Sequence, residues 1–332
     1  MQLFDCTLRD GGNVLGNGFP KDLTLLMLEG LLANNITNIE FGNAYGIGAY
    51  EADGKIAPLT DLEYLDLAQP FLSRGNIGMF IGVKNANEKN IALAASKGMK
   101  FLRLGENAGD ANNAKNGIAL MRKYKIFPRY ALMKGYVVSA KKLAEECKKL
   151  QDWGVGTVSI MDSAGTMTPD QAAEYTGALV KALSIPVSFH GHNNLGLSVA
   201  NAIAAEQSGA KELDCGLMGM ARSAGNLPTE MAVGVFQREK KLKKINFLGL
   251  LDFIDTKLAP AMAKHEYRAA IVPEDLILGI AGCHSNFLGL FRETAKAEKV
   301  NLYQLIMDVS KKNRKNPSKD EMIKAARAMK EQ

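Results

Sequence analysis

The sequence has few of the features that mark a secreted, membrane-bound or disulfide-linked protein. Its 332 residues include only four cysteines, which are widely scattered and form no CxxC pair, so reduced thiols are expected. No apolar run approaches the ~18 residues of a membrane-spanning helix, and no signal peptide opens the chain. We therefore expect a cytoplasmic protein without membrane spans.

Excess charge of one sign is also limited. The net charge is +6, and much of the excess lies in "KKNRKNPSKDEMIKAARAMK" at residues 311–330. Acidic residues interrupt this stretch and no aromatic residues interleave with it, which favours a solvated helical surface over a nucleic-acid patch. The 47% apolar and 23% charged residues are an ordinary globular balance.

Short apolar runs alternate with amphipathic stretches along the first 240 residues. Alternating strands and helices imply a parallel sheet, and eight such units predict a closed (β/α)8 TIM barrel. An open doubly wound sheet is the alternative, but the glycine-rich phosphate-binding turn expected after its first strand is absent. The predicted strands are Leu3–Cys6, Asn38–Phe41, Ile77–Val83, Lys100–Leu104, Ile126–Leu132, Thr157–Met161, Pro186–His190 and Glu212–Cys215.

After Lys240 the alternation stops and only helical patterns follow. We therefore expect a catalytic barrel at residues 1–240 and a smaller α-helical C-terminal domain at residues 241–332. The patterns predict helices over residues 247–263, 276–299, 301–312 and 319–332.

In a (β/α)8 barrel, function lies at the C-terminal ends of the strands. His190 and His192 are two residues apart at the end of one strand, so both side chains project to the same face. With Asp10, which follows the first strand, they make a set of two histidines and one carboxylate that suits a divalent first-row metal. Only four histidines occur in the chain, so the pair favours a metal site over two hydrogen-bonded histidines.

Two further strand-end residues have two interpretations each. Asn226 either supplies a fourth oxygen ligand or caps the helix that follows. Arg9 either forms an ordinary surface ion pair with Asp10 or binds a substrate carboxylate or enolate oxygen in a bidentate manner.

These segments together resemble the metal-dependent DRE-TIM lyase and synthase superfamily, which has an HMGL-like barrel. "DCTLRDGG" matches its strand-one signature, "HGHNN" its metal-binding motif, and "DSAGTMTP" and "SAGNLPTE" its strand-six and strand-eight segments. Within the superfamily the chain is most similar to the 4-hydroxy-2-oxovalerate aldolases, above all through "LILGIAGCHSNFLGLFRETAKAEKV". The similarity extends over nearly the whole chain.

The resemblance implies an aldolase that cleaves or forms a carbon–carbon bond of a 4-hydroxy-2-oxo acid. The products would be pyruvate and an aldehyde, reached through a metal-bound enolate, with manganese as the metal and magnesium or cobalt as alternatives. Arg9 would bind the substrate, and Ser163 would either bind its carboxylate or form an ordinary strand-end turn. The resemblance implies that Asp10, His190 and His192 are metal ligands, and Asn226 is the candidate for a fourth.

The resemblance also bears on partners. In the aldolases the C-terminal region, called the communication domain, helps form the site and contacts an acylating aldehyde dehydrogenase. Such a dehydrogenase is therefore a candidate partner here, and a homodimer is the default assembly.

The chain departs from the aldolases at several positions. Asn13 stands where they carry a histidine that acts as acid or base, and an amide does not transfer a proton near pH 7. His284 replaces a tyrosine that points at the substrate; it is either the catalytic group or a packed histidine. Asn43 and Ala44 replace a histidine and an aspartate, which predicts an altered pocket for the second substrate.

Two other functions stay open. Asn13 and "AGNLPTE" also fit a Claisen-type synthase or lyase that uses an acyl-CoA, although those synthases carry different regions after the barrel. The second alternative is a catalytically altered barrel that only binds metal. The presence of the complete set Asp10, His190 and His192 argues against that second alternative.

Overall fold

The computed structural model describes residues 1–267 and 273–330, and within these ranges eight parallel strands close into a barrel. Each strand pairs with the next along the chain, and the last strand returns to the first through Gln2↔Glu212 and Asp5↔Cys215. The predicted TIM barrel is thereby confirmed. The strands are β1 Gln2–Asp5, β2 Asn38–Phe41, β3 Asn76–Gly82, β4 Phe101–Asn107, β5 Phe127–Met133, β6 Thr157–Asp162, β7 Val187–Gly191 and β8 Glu212–Cys215.

The helices around the barrel begin where the sequence supplies capping groups. Thr168 and Gln171 form a reciprocal capping box at the start of one helix, with Pro169 in its first turn, and Ser139 caps another. These helices are α1 Lys21–Ala33, α2 Ala49–Ala52, α3 Asp61–Ala68, α4 Glu88–Ser96, α5 Lys115–Lys123, α6 Ala140–Asp152, α7 Pro169–Ala182, α8 Ser198–Gln207 and α9 Thr229–Arg238.

The inside of the barrel holds charged side chains in addition to apolar ones. Arg103 of β4 is fully buried and lies between Glu40 of β2 and Asp214 of β8. Arg129 of β5 forms a separate buried ion pair with Glu212. Buried charges need partners, and these ion pairs supply them inside the barrel.

The helical segment after the barrel first packs onto the barrel itself. It comprises α10 Phe247–Phe253, a π-helical turn at Ile254–Leu258 and α11 Ala259–Ala263, in agreement with the helix predicted over residues 247–263. The π-helical turn lies just before Pro260, which has no N–H to donate to the preceding turn. Leu250, Phe253 and Met262 belong to the hydrophobic core of the barrel.

A second hydrophobic core, which includes Leu278 and Phe291, lies among the last four helices. The single helix predicted over residues 276–299 is wrong, because Gly282 takes a positive φ of 64° and the chain turns there before a new helix begins. The predicted domain boundary at residue 240 stays a prediction. The helices are α12 Pro273–Ala281, α13 Leu288–Glu298, α14 Leu302–Lys312 and α15 Lys319–Ala328. Residues 331–332 of the last predicted helix lie outside the described residues.

The loop between α14 and α15 contacts the barrel directly. Lys134 Nζ donates hydrogen bonds to the Lys315 carbonyl (2.5 Å) and to Asn316 Oδ1 (3.0 Å). Arg314 Nη2 donates to the Tyr136 carbonyl at 3.0 Å. In the part of the chain that the structure describes, no helix is long and apolar enough to cross a membrane.

Candidate active site

A cavity of about 450 Å³ opens at the C-terminal ends of the barrel strands. The predicted site residues that line it are Arg9, Asp10, Ser163, His190, His192 and His284. The remaining two, Asn13 and Asn226, are each hydrogen-bonded to Asp10. Residues that are far apart in the sequence therefore meet at one place.

Asp10, His190 and His192 form the tightest group in this cavity. Asp10 Oδ2 lies 3.5 Å from His190 Nε2 and 3.6 Å from His192 Nε2, and all three side chains are buried. Three ligand atoms lie within 4.8 Å of one another. One carboxylate oxygen and two imidazole nitrogens form a donor set that suits a divalent first-row metal.

The ionisation of these groups also suits metal binding. Burial alone would raise the pKa of Asp10, but Arg9 and the two histidines outweigh it and hold that pKa well below its usual range. Burial lowers the pKa of His192 to about 3. At neutral pH the group therefore presents an ionised carboxylate and a neutral His192, which are the forms that bind metals.

Asp214 fixes the orientation of His190. Its Oδ2 lies 3.0 Å from His190 Nδ1, while its Oδ1 accepts a hydrogen bond of 2.9 Å from Ser188 Oγ. A carboxylate at Nδ1 favours the tautomer with its proton there, so Nε2 keeps a lone pair that faces Asp10. Arg103 Nη1 contacts the same Asp214 oxygen, Oδ2.

Asn226 does not cap a helix, because α9 begins at Thr229 directly after Pro228. Its Nδ2 donates to Asp10 Oδ2 at 2.9 Å, and its Oδ1 is buried without a partner among the described residues. A 180° rotation of the amide would exchange these two atoms and direct the unpaired oxygen toward the Asp10 group. The unpaired oxygen therefore fits a fourth ligand, and the capping interpretation is wrong.

Arg9 is not an exposed surface pair, since only 6% of the residue is accessible. Its Nε donates to Glu40 Oε2 at 2.7 Å and its Nη1 contacts Asp10 Oδ1 at 3.0 Å. The third nitrogen, Nη2, is buried and has no hydrogen-bond partner in residues 1–267 and 273–330. This unpaired donor is available to an oxygen atom of a ligand.

His284 reaches the cavity from the turn between α12 and α13. The backbone N–H of Asn286 donates to His284 Nδ1 at 3.1 Å, so the proton of the neutral ring lies on Nε2. Burial, supported by the charges of Arg222 and other nearby groups, lowers the pKa of His284 well below its ordinary value. The ring is therefore neutral near pH 7, and it forms part of the cavity wall.

Comparison with known protein families assigns the whole barrel. The HMGL-like family model matches residues 1–256, which is most of the chain. The chain belongs to the HMGL-like family. The resemblance to this superfamily that the motifs predicted is thereby confirmed.

Relatives of the HMGL-like protein include two proteins named as aldolases. The chain is 30% identical over 298 residues to 4-hydroxy-2-oxovalerate aldolase of Desulfitobacterium hafniense, covering 90% of this chain and 88% of the relative. It is 28% identical over 325 residues to 4-hydroxy-2-oxovalerate aldolase 2 of Rhodococcus jostii, covering 98% and 94%. The fold matches the carboxyl transferase domain of Rhizobium etli pyruvate carboxylase with pyruvate and biocytin, with TM-score 0.79, 14% identity and coverage of 100% and 60%.

Sequence analysis of the HMGL-like protein missed Arg222. Its Nη2 donates to Asn13 Oδ1 at 3.0 Å, and its Nε lies 4.0 Å from Asp10 Oδ1. The signal was its position in the strand-eight segment "MARSAGN". Glu40 and Asp214 were also missed, although each is a charged residue within a predicted strand.

Proposed function

We propose that this HMGL-like protein is a divalent-metal-dependent aldolase, which cleaves a 4-hydroxy-2-oxo acid into pyruvate and an aldehyde and catalyses the reverse reaction. The observation that carries the proposal is the convergence of Asp10, His190 and His192 in one cavity beside Arg9. The names of the relatives support the reaction class. When bound, a divalent ion, for which we propose manganese with magnesium or cobalt as alternatives, supplies the Lewis acidity that stabilises an enolate.

The residues around these ligands have separate roles in the proposal. Arg9 Nη2 donates to the pyruvate oxygen that gains negative charge as the enolate forms. Ser163 Oγ accepts the backbone N–H of Lys134 at 2.9 Å, which leaves its own O–H to donate to the substrate carboxylate. Asn13 bridges Asp10 and Arg222 and has no titratable proton, so we assign it a positioning role.

We propose that His284 binds the 4-hydroxyl group of the substrate and removes its proton. With Nδ1 accepting the Asn286 N–H, the Nε2–H group is a donor that holds the 4-oxygen. The ring can accept the hydroxyl proton at Nδ1 only after it turns away from Asn286. Proton removal therefore requires loss of that hydrogen bond, and His284→Ala should impair aldol cleavage more than enolisation of pyruvate.

Deuterium exchange into the methyl group of pyruvate, followed by proton NMR, tests the proposal without knowledge of the aldehyde. We expect exchange with added Mg²⁺ or Mn²⁺, quenched by a chelator before the spectrum, and none in chelator-treated protein or in Asp10→Ala. Asp66→Ala, which removes an exposed carboxylate of α3, is the matched control and should retain exchange. Exchange that persists without metal would contradict the proposal, as would no exchange in protein shown to hold metal.

A Claisen reaction with an acyl-CoA is the alternative function, and a separate assay tests it. Release of free CoA thiol in the presence of a 2-oxo acid, with no turnover of any aldehyde, would replace the aldolase proposal. The partner dehydrogenase, the homodimer and the cytoplasmic location stay predictions.

A further inference from the structure

The outer part of the cavity carries positive charge that the proposed aldol chemistry does not use. Four of the lining residues are arginine or lysine, and two are aspartate. Arg9 and Lys84 each form an ion pair with a carboxylate, at 2.7 Å and 2.5 Å. The two cations that remain are Lys55 and Arg222.

Lys55 lies in the segment between α2 and α3, and its side chain is partly exposed to the cavity. Its Nζ lies 4.6 Å from the centroid of the Tyr45 ring. The nearby carboxylate of Asp53 is held by Lys84 and Asn85. Among the residues described by the structure, no carboxylate lies at salt-bridge distance from Lys55 Nζ, although Lys55 helps from farther away to lower the pKa of Asp53.

Arg222 approaches the same aromatic ring, with its Cζ 5.2 Å from the Tyr45 centroid. Its Nη1 and Nη2 donate to the amide oxygens of Asn286 and Asn13, which are neutral acceptors. Its Nε is 4.0 Å from Asp10, a carboxylate already in contact with Arg9. The charge of Arg222 is therefore incompletely balanced. The guanidinium group lies between Asp10 and the Tyr45 ring.

Buried contacts hold this arrangement in place. Asn43 is fully buried; its Nδ2 donates to the Lys55 carbonyl at 2.7 Å, and its Oδ1 accepts the Tyr45 backbone N–H at 2.9 Å. One side chain thus anchors both the residue that carries the ring and the residue that carries the ammonium group. Asn43 therefore holds the backbone of Lys55 in place, and Asn13 and Asn286 hold the side chain of Arg222.

We propose that Lys55 and Arg222 bind an anionic group, a carboxylate or a phosphate, at the distal end of the aldehyde half of the substrate. The inference rests on the proposed aldolase function, in which the pyruvate half occupies the inner cavity next to Asp10. Opposite charges attract more strongly in a partly enclosed cavity than in bulk water. A short neutral aldehyde would leave Lys55 without a salt-bridge partner among the described residues, and Arg222 with only the carboxylate of Asp10, which also contacts Arg9.

Binding of non-cleavable analogues tests the site without turnover. 2-Oxoheptanedioate and 2-oxoheptanoate lack the 4-hydroxyl group and differ only in the distal carboxylate. In calorimetric titrations of the metal-loaded protein, we expect the dioate to bind at least about tenfold more tightly. The ratio should fall below about threefold in Lys55→Met and persist in the control Lys89→Met, which removes an exposed lysine that pairs with Glu51 and does not line the cavity.

Condensation with pyruvate then distinguishes the two anionic chemistries. Succinic semialdehyde is compared with butanal to test a carboxylate, and glyceraldehyde 3-phosphate with glyceraldehyde to test a phosphate. A higher kcat/KM for either anionic aldehyde that declines in Lys55→Met supports the inference. Equal kcat/KM values within both pairs would overturn it.

The inference and the proposed function can fail separately. Deuterium exchange into pyruvate without any preference for the dioate would leave the aldolase proposal intact and refute the anion site. Lys55-dependent binding of the dioate without exchange would support the anion site and refute the aldolase proposal. Equal losses in Lys55→Met and Lys89→Met would indicate general electrostatic attraction and overturn the assigned site.

Discussion

Replacement of Arg103 by methionine tests whether the buried ions inside the barrel support the site above them. Arg103 is fully buried; its Nε donates to Glu40 Oε1 at 2.8 Å and its Nη2 to Glu40 Oε2 at 2.5 Å. Its Nη1 contacts Asp214, which orients His190. Arg103→Met keeps much of the apolar volume but leaves two buried carboxylates with one cation fewer.

The free energy of unfolding should fall substantially, because removal of one partner of a buried ion pair destabilises a protein by about 3–5 kcal/mol. Domains are usually stable by only about 5–15 kcal/mol, so the variant should fold and yet unfold at a much lower urea concentration. Metal affinity should decline as well, since Asp214 would no longer hold His190 firmly in place.

The pH dependence identifies the cause of the loss. Burial raises the pKa of Glu40, but Arg103 and Arg9 outweigh it and hold that pKa below its ordinary value. Without Arg103 only Arg9 opposes the effect of burial, so the pKa of Glu40 should rise. If it rises above the unfolded-state value, the folded variant retains a proton that its unfolded chain releases. Its stability should therefore rise as the pH falls through the raised pKa, by about 1.4 kcal/mol per pH unit for one proton.

Urea unfolding of wild type and variant, followed by circular dichroism in the presence of a chelator, measures this difference. The deficit should shrink as the pH is lowered from neutrality toward the ordinary pKa of a glutamate. Arg129→Met is the matched control: it also removes a buried arginine but breaks only the pair with Glu212, so it should lose stability and keep metal affinity. A deficit for Arg103→Met that does not change with pH would show that lost packing causes the destabilisation, refuting the charge argument.

Three further predictions concern single features of the structure. Asp10→Asn should keep the fold and lose metal binding in calorimetry, because it removes the only carboxylate of the proposed ligand set; unchanged affinity would contradict the proposed assignment. Gly165→Ala should lower the free energy of unfolding by about 1–3 kcal/mol, measured by thermal unfolding, because Gly165 has φ +57° and a Cβ would lie 2.6 Å from Asn194 N. Gly177→Ala, in open space on α7, should gain about 0.5–1 kcal/mol; a loss in both variants would refute this distinction. All four cysteines are buried, so a thiol reagent should label them only on unfolding, and rapid labelling of native protein would contradict their burial.

Several elements of this protein could be predicted from the sequence because their signals are local. The strand over Asn38–Phe41 was predicted with the bounds that the structure has, and the strand over Glu212–Cys215 likewise. By contrast, the strand predicted to end at Leu104 continues to Asn107, because pairing with β5 extends it through polar residues. The break at Gly282 was also missed, although the glycine and the polar residues at 284–286 interrupt the apolar pattern there.

The sequence by itself determined the alternation of strands and helices, the barrel that follows from it, and the pair His190 and His192 on one strand. These depend on the spacing of residues that are close along the chain. Only the tertiary structure decided which charges meet, because Arg103 joins Glu40 from 63 positions away and Arg222 joins Asn13 from 209 positions away. Such contacts arise when the barrel closes and buried charges must find partners, and no local pattern contains that information.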